Sequence, residues 1–263
     1  MLQGNNLRPL LFNLFVNDLH ERNRSRENSV TLNSTEFSCL LYADDLVLLA
    51  SNPKSLQHNI NILNNYCNEW HLKVNLKKTK IVTFSNSGRK CKHLFQYDDS
   101  VIENASNCNY LGIKLTSSGT FTYGQKELVS KARKAAFRIS KNLNHPFCGV
   151  NLMMKLFDAL ILYGSEIWGN NYITETFHNR FFKSVLGLSR NASNSATLGD
   201  LGRLFIDIAI LKFWLHIVND KCRQLVKETY ISEVKQNSNW TAYIRNLLCK
   251  TGLLYICQNP SAI

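Results

Sequence analysis

The chain has 263 residues, 44% of them hydrophobic, enough for one large or two modest domains with real cores. Its 31 lysines and arginines against 19 acidic residues give a formal charge of +12, a field that draws polyanions such as nucleic acid or anionic lipid, although a basic surface also serves solubility. Eight cysteines without a C-x-x-C pair or a histidine at finger spacing exclude a disulfide framework and a zinc finger, and predict reduced thiols in an intracellular, non-secreted protein.

In chain order, Leu7, Leu10, Leu11, Leu14, Phe15 and Leu19 recur at spacings of three and four, which predicts a buried helix over residues 7–22 with Pro9 in its first turn. Asn13 interrupts the apolar run there and no small-residue cleavage site follows, so no signal peptide is expected. Polar residues 21–36 read as a connector. The stretch FSCLLYADDLVLLA then predicts two apolar strands flanking a short acidic turn, a β-hairpin with carboxylates at its tip. Asn52 and Pro53 supply a cap and a first helical residue, and Leu56, Ile60, Leu63, Cys67 and Trp70 continue as one amphipathic helix.

After that helix the period changes. Residues 80–84 predict a strand, 94–102 a hairpin around Asp98-Asp99, and 110–115 another strand, which closes a mixed α+β region near residue 120. Helical periods follow at 123–143, with Leu128, Ala132, Ala135, Ile139 and Leu143 inward, and then at 152–163, 177–188 and 206–226. Residues 152–168 are apolar, yet Lys155, Asp158 and Glu166 break them well short of a membrane span. Gly119, residues 146–149 and residues 191–202 are the breakers, the last being the best candidate linker.

The chemistry centres on Tyr42-Ala43-Asp44-Asp45, because nucleotidyl transfer needs hard oxygen ligands that hold divalent metals in line with an attacking hydroxyl. Taken alone, an acidic turn between buried strands is more often structural. Its neighbours alter that balance. Gln3-Gly4 precedes Leu7, Pro9, Leu10, Leu11 and Phe12; Asn75-Leu76-Lys77-Lys78-Thr79 follows the capped helix; Tyr110-Leu111-Gly112 comes later still. The order and spacing of these segments resemble those of reverse transcriptases. Leu162-Tyr163-Gly164-Ser165-Glu166-Ile167-Trp168-Gly169 and the Asn179-Arg180-Phe181-Phe182-Lys183 run resemble the post-thumb region of the non-LTR (LINE-type) retrotransposon members specifically. Trp168, Phe181 and Phe182 are expected as core packing instead of base stacking.

The resemblance implies an α+β fold: a partial right-hand polymerase palm, an antiparallel sheet with packed helices, over residues 1–120. A helical thumb-like region over 121–190 and a helical C-terminal region over 191–263 would follow. It implies RNA template and DNA primer as partners and Mg2+ or Mn2+ as cofactor. Asp44 would hold metal with Asp45 behind it, and Tyr42 would lie against the primer end. Gln3 and Gly4 would sit near the nascent pair, with Arg8 where the family carries a small serine. Lys78 takes the family's lysine position, and Tyr110, Leu111 and Gly112 the primer grip. Lys126, Lys131, Arg133, Lys134, Arg138 and Lys141 would track phosphates along a thumb helix. In that family one metal-bridging aspartate and the fingers lie upstream of the Gln-Gly segment, so this chain by itself is expected not to polymerise.

Overall fold

The computed structural model describes residues 8–22, 28–33, 35–85, 88–89, 91–141, 150–165, 169, 172–219, 224–236 and 238–252. By contact the chain divides into two units, residues 1–108 with 116–119, and residues 109–115 with 120–263.

The first unit is organised by one helix. Helix α3 (Pro53–Glu69) starts as the sequence predicts, with the Asn52 side chain accepting from the Ser55 amide and Pro53 in the first turn. Its apolar stripe is buried on both flanks. Leu63, Tyr66 and Cys67 pack with Leu19 and with Leu46 and Leu48, while Ile60 joins Ile81, Phe95 and Ile102. Asn59, wholly buried, donates to the carbonyls of Asn28 and Leu49 and ties two chain segments to the helix. Gln57 pairs with the backbone of Gln96 through both ends of its amide, donating to the carbonyl at 2.7 Å and accepting from the N–H at 2.9 Å.

The strands around α3 form small separate sheets. β1 (Val30–Leu32) pairs antiparallel with β2 (Thr35–Phe37), and β3 (Cys39–Tyr42) with β4 (Asp45–Leu48). β5 (Lys80–Val82), β6 (Phe95–Tyr97) and β7 (Ser100–Ala105) form a three-stranded sheet in the order β5-β7-β6. Its β6–β7 hairpin turns at Asp98-Asp99 as predicted, with Asp98 at φ 52°. The β5–β7 pairing is parallel, so the sheet is mixed and the expectation of a purely antiparallel one is corrected. A parallel neighbour requires a crossover, which hydrophobic alternation does not encode.

Other boundaries also moved. The predicted opening helix is two pieces, α1 (Arg8–Phe15) and α2 (Leu19–Arg22), because the chain turns at residues 16–18, where the Asp18 carboxylate accepts the Tyr66 hydroxyl at 2.7 Å. Leu11, Leu14 and Phe15 are exposed, and burial falls on Val16 and Leu19. The connector expected over 21–36 contains the β1–β2 hairpin, whose turn residue Asn33 has φ 53°; an Asx residue between V-T-L and T-E-F was the readable signal. The strand expected over 110–115 is instead a hairpin of β8 (Asn107–Tyr110) and β9 (Ile113–Thr116).

The second unit is helical. α4 (Thr122–Lys141), α5 (Val150–Ile161), α6 (Tyr172–Val185) and α7 (Asn194–Asp200) share a core. Val129, Ala132, Ala136, Met154, Phe157, Ile161, Phe181, Phe182 and Leu198 fill it. Phe157 stacks on Phe181 with ring centroids 3.8 Å apart, and Phe182 is fully buried, so both phenylalanines of that run are core as expected. Asp158 pairs with Arg203 at 2.7 Å between partly buried side chains. α8 (Ile206–Asn219), α9 (Gln224–Lys235) and α10 (Asn239–Lys250) follow, α8 and α10 joining through Leu211, Trp214, Ile244 and Leu248. The linker expected over 191–202 therefore holds a capped helix, Ser193 accepting from Ala196; of the helix expected over 206–226, residues 206–219 and 224–226 are helical and 220–223 lie outside the described residues.

Tyr66 is 1% exposed and its hydroxyl is pushed well above the ordinary tyrosine value, first by burial and then by its bond to Asp18. A raised phenol pKa contributes stability that is complete below the unfolded value near 10 and is lost as pH climbs beyond it. Tyr66→Phe should cost about 1.5–3 kcal/mol at neutral pH, the usual worth of a hydrogen bond to a charged group. It should also blunt the loss of first-unit stability in alkali, read from urea melts repeated across the pH range.

Candidate active site and nucleic-acid interface

The β3–β4 hairpin places its residues by register. Cys39 faces Leu48, Leu40 faces Val47, Leu41 faces Leu46 and Tyr42 faces Asp45, with Ala43 and Asp44 as the two-residue turn. Side chains alternate along a strand, so Leu46 and Leu48 lie on the face that packs against α3, and Tyr42 and Asp45 on the other. Asp44 and Asp45 are both exposed, as is Tyr42. Ala43 sits at φ 51°, left-handed backbone in which a Cβ is unfavourable.

Two adjacent carboxylates are hard oxygen donors of the kind that suits Mg2+ or Mn2+. Among the described residues no three His, Cys, Asp or Glu side chains gather into a cage. The tip thus fits a divalent metal in donor chemistry while providing part of a six-oxygen sphere, the remainder falling to water, phosphate or further carboxylates. Asp18 is committed elsewhere, to Tyr66 and Arg22.

Lys78 is exposed in the turn after α3. The Asn75 carbonyl anchors that turn, accepting from the amides of Lys78 and Thr79 and from the Thr79 hydroxyl, each at 3.0 Å. Gln3 and Gly4 lie outside the described residues. Of the cysteines described, 39, 67, 91, 108 and 249 are all unpaired; burial pushes the thiols of Cys39, Cys67 and Cys108 up, away from the reactive thiolate.

In the second unit Tyr110 ends β8, and Leu111 and Gly112 make the turn into β9 with φ of 47° and 79°. Positive φ at both central residues is the hairpin turn that matches strand twist, and glycine at the second position takes it without strain. Tyr163 lies over this turn: its hydroxyl donates to the Leu111 carbonyl, and a Cβ on Gly112 would meet its ring at 3.5 Å. No periodicity argument exposes that clamp, because residues 111 and 163 are joined only by folding.

The basic residues of α4 occupy the side opposite its buried stripe. Gln125, Val129, Ala132 and Ala136 are buried, whereas Leu128 and Ala135, expected inward, are only half-buried, so the inward stripe is rotated by about one residue. Lys126, Lys131, Arg133, Lys134 and Arg138 are exposed, and Lys141 is in the helix's last turn. Lys131 pairs with Glu127 at 3.1 Å; Lys126, Lys134 and Arg138 form no ion pair among the described residues. No helix among those residues is long and apolar enough to cross a membrane.

A hairpin that lifts paired carboxylates from an apolar base is the kind of element that metal-dependent nucleotidyl transfer uses. Residues 1–115 match the reverse transcriptase (RNA-dependent DNA polymerase) family. The chain is also 24% identical over 178 residues to the RNA-directed DNA polymerase from mobile element jockey of Drosophila melanogaster, covering 64% of this chain and 19% of the fly protein. It is 28% identical over 148 residues to a transposon-derived protein of Caenorhabditis elegans, covering 53% of this chain and 52% of the worm protein. The chain thus spans about a fifth and about half of these two relatives. Both likenesses cover more of the chain than residues 1–115 can supply, so they extend into the helical part.

The left-handed backbone at Ala43 gives a direct test of the turn. Ala43→Val should destabilise the first unit by about 1–2 kcal/mol and Ala43→Gly should not, since only glycine adopts that region freely. Equilibrium urea unfolding of the two variants measures the difference; equal behaviour would contradict the turn geometry.

Proposed function

We propose that the chain is part of an RNA-directed DNA polymerase from a non-LTR retrotransposon: the C-terminal part of the palm over residues 1–120, thumb over 121–190 and following helices over 191–263. The Tyr42–Asp45 hairpin carries this reading, two exposed carboxylates held at the tip of a strand pair whose other face is buried on α3. The family match over residues 1–115 and the likeness to the jockey polymerase support it.

In this reading Asp44 and Asp45 hold Mg2+ or Mn2+, which when bound activates a primer hydroxyl and neutralises charge at the transferring phosphate. The hairpin fixes the carboxylates, and Tyr42, on the same face as Asp45, lies against the primer end. Gln3 and Gly4 support the nascent pair and Lys78 stands beside the palm's nucleic-acid path. The Tyr110-Leu111-Gly112 turn presses backbone against the primer, with Tyr163 holding its shape. Lys126, Lys131, Arg133, Lys134, Arg138 and Lys141 contact phosphates. Among the described residues no third carboxylate joins Asp44 and Asp45, and in this reading a polypeptide of these 263 residues does not extend primers by itself.

The test has two readouts. Mn2+ should broaden nuclear resonances around residues 42–46 in the parent chain, and Asp44→Asn with Asp45→Asn should abolish the effect. Primer extension on an RNA template with Mg2+ or Mn2+ should give no product; template-dependent product lost in Asp44→Asn would overturn the inactive assignment and leave the polymerase ancestry intact. The exposed basic face of α4 favours a second reading, a nucleic-acid-binding protein without catalysis. Salt-dependent RNA binding with no Mn2+ effect at the hairpin would select it.

A further inference from the structure

We infer that the outward face of α5 is a docking surface for an amphipathic helix of a partner protein, one that carries acidic residues beside an apolar seam. The inference depends neither on the carboxylate hairpin nor on the polymerase reading. α5 is apolar on both sides. Its inward face puts Met154, Phe157 and Ile161 into the core shared with α4, α6 and α7. Its outward face carries Leu152, Lys155, Leu156, Ala159, Leu160 and, in the turn that follows, Tyr163, all exposed and at the spacing that keeps residues on one side of a helix. Leu152, Leu156 and Leu160 are 51%, 48% and 37% exposed and form one continuous ridge at steps of four. Single leucines on a surface need no explanation, but a helix that is apolar all round is one with a second neighbour.

Lys155 decides the chemistry of that neighbour. It is exposed between Leu152 and Leu156 and forms no ion pair among the described residues. Asp158, the acidic residue of α5, turns inward to Arg203 at 2.7 Å and to His178, so the outward face has no carboxylate of its own. A second copy laid face to face on α5 would bring lysine toward lysine and leave both uncompensated. A bilayer would accept the leucines, yet a helix that lies on anionic lipid presents a row of cations, and this face has one. A partner helix satisfies the whole stripe. Apolar residues recurring every three or four positions fit beside the leucine ridge, Ala159 is the low point where the two backbones approach, and a glutamate or aspartate flanking the seam reaches Lys155. Tyr163, its hydroxyl held by the Leu111 carbonyl, ends the stripe with a half-exposed ring. The 12 residues of α5 extend over about 18 Å, which a partner of three turns matches.

The experiment is fluorescence anisotropy on the full chain with synthetic helical peptides that share a leucine seam and differ in the residues flanking it, glutamate in one and lysine in the other. The glutamate peptide should bind, and a version with asparagine in place of the seam leucines should not, which separates the seam from the overall charge of the chain. Leu156→Asp should weaken the glutamate peptide by at least about tenfold, the loss of one central anchor. Lys155→Glu should shift preference toward the lysine peptide by about tenfold, a charge swap that neither unfolding nor general adhesion reproduces. Both positions are exposed, and unchanged circular dichroism controls for folding. Chemical-shift changes on adding the glutamate peptide should fall on Leu152, Leu156 and Leu160. Failure of the glutamate peptide to bind, parent-like binding by Leu156→Asp, or unchanged preference in Lys155→Glu would each overturn the proposal. So would a dimer in sedimentation that Leu156→Asp dissociates, which makes the occupant a second copy, or binding to phosphatidylserine vesicles that Leu156→Asp abolishes, which makes it a membrane.

Discussion

The pairing of β3 with β4 decides what the acidic turn can do. With Leu41 opposite Leu46 and Cys39 opposite Leu48, one face of the hairpin joins the apolar surface of α3 and the other carries Tyr42 and Asp45 outward. Strand side chains have a period of two, so a slip of one residue would drive Asp45 toward Leu63 and Tyr66 and turn Leu46 into solvent. Burying an unpaired carboxylate costs several kcal/mol, and so does leaving leucine faces exposed, which makes this register far more stable than its neighbours. The apolar base therefore serves the chemistry by aiming it. The Ala43 conformation is part of the same constraint, since a two-residue connection reverses the strands only with backbone of this unusual kind.

Helix α3 carries that constraint to the rest of the first unit. Asn52 and Pro53 fix where it starts, and the stripe from Ser55 to Cys67 then has one orientation relative to the strands. Asn59 holds Leu49, the residue just after β4, and Gln57 holds Gln96 in β6. Both are polar side chains standing in for strand neighbours, which lets a short helix organise several two- and three-stranded pieces. The value of Asn59 lies in specificity: a buried amide accepts few arrangements of its partners.

The readable parts of the sequence are those in which local chemistry and burial agree. The α3 cap, the acidic hairpin and the Asp98-Asp99 turn are each signalled by residues whose backbone preferences match their place. What stayed hidden depends on distant partners. The parallel β5–β7 pairing has no marker in either strand, and the β8–β9 hairpin lacks the Asn-Gly turn that announces such an element, its shape being held by Tyr163 from the turn that follows α5. On α4 the alanine-rich run 132–136 offers two inward stripes of nearly equal hydrophobicity, and contact with Phe157 and Phe181 selects the one through Val129 and Ala136. The acidic residues of the candidate site were legible because they are consecutive, whereas the outward leucines of α5 are told from its buried residues only by the packing.

The two units rely on separate cores, and this bears on how their chemistry can be lost. Asp44 and Asp45 are presented by packing on Leu63, Tyr66 and Cys67, while the outward faces of α4 and α6 are presented by the stack of Phe157 on Phe181. A substitution that loosens one core leaves the other's contacts in place, because distant sites without shared partners contribute nearly additively. The carboxylate tip and the basic face of α4 are therefore independent features of this chain, each held by its own set of buried residues. A chain that lost its carboxylate tip would leave the helices undisturbed, and the outward faces of α4 and α6 would keep their arrangement for as long as Phe157 and its neighbours hold α4 against α6.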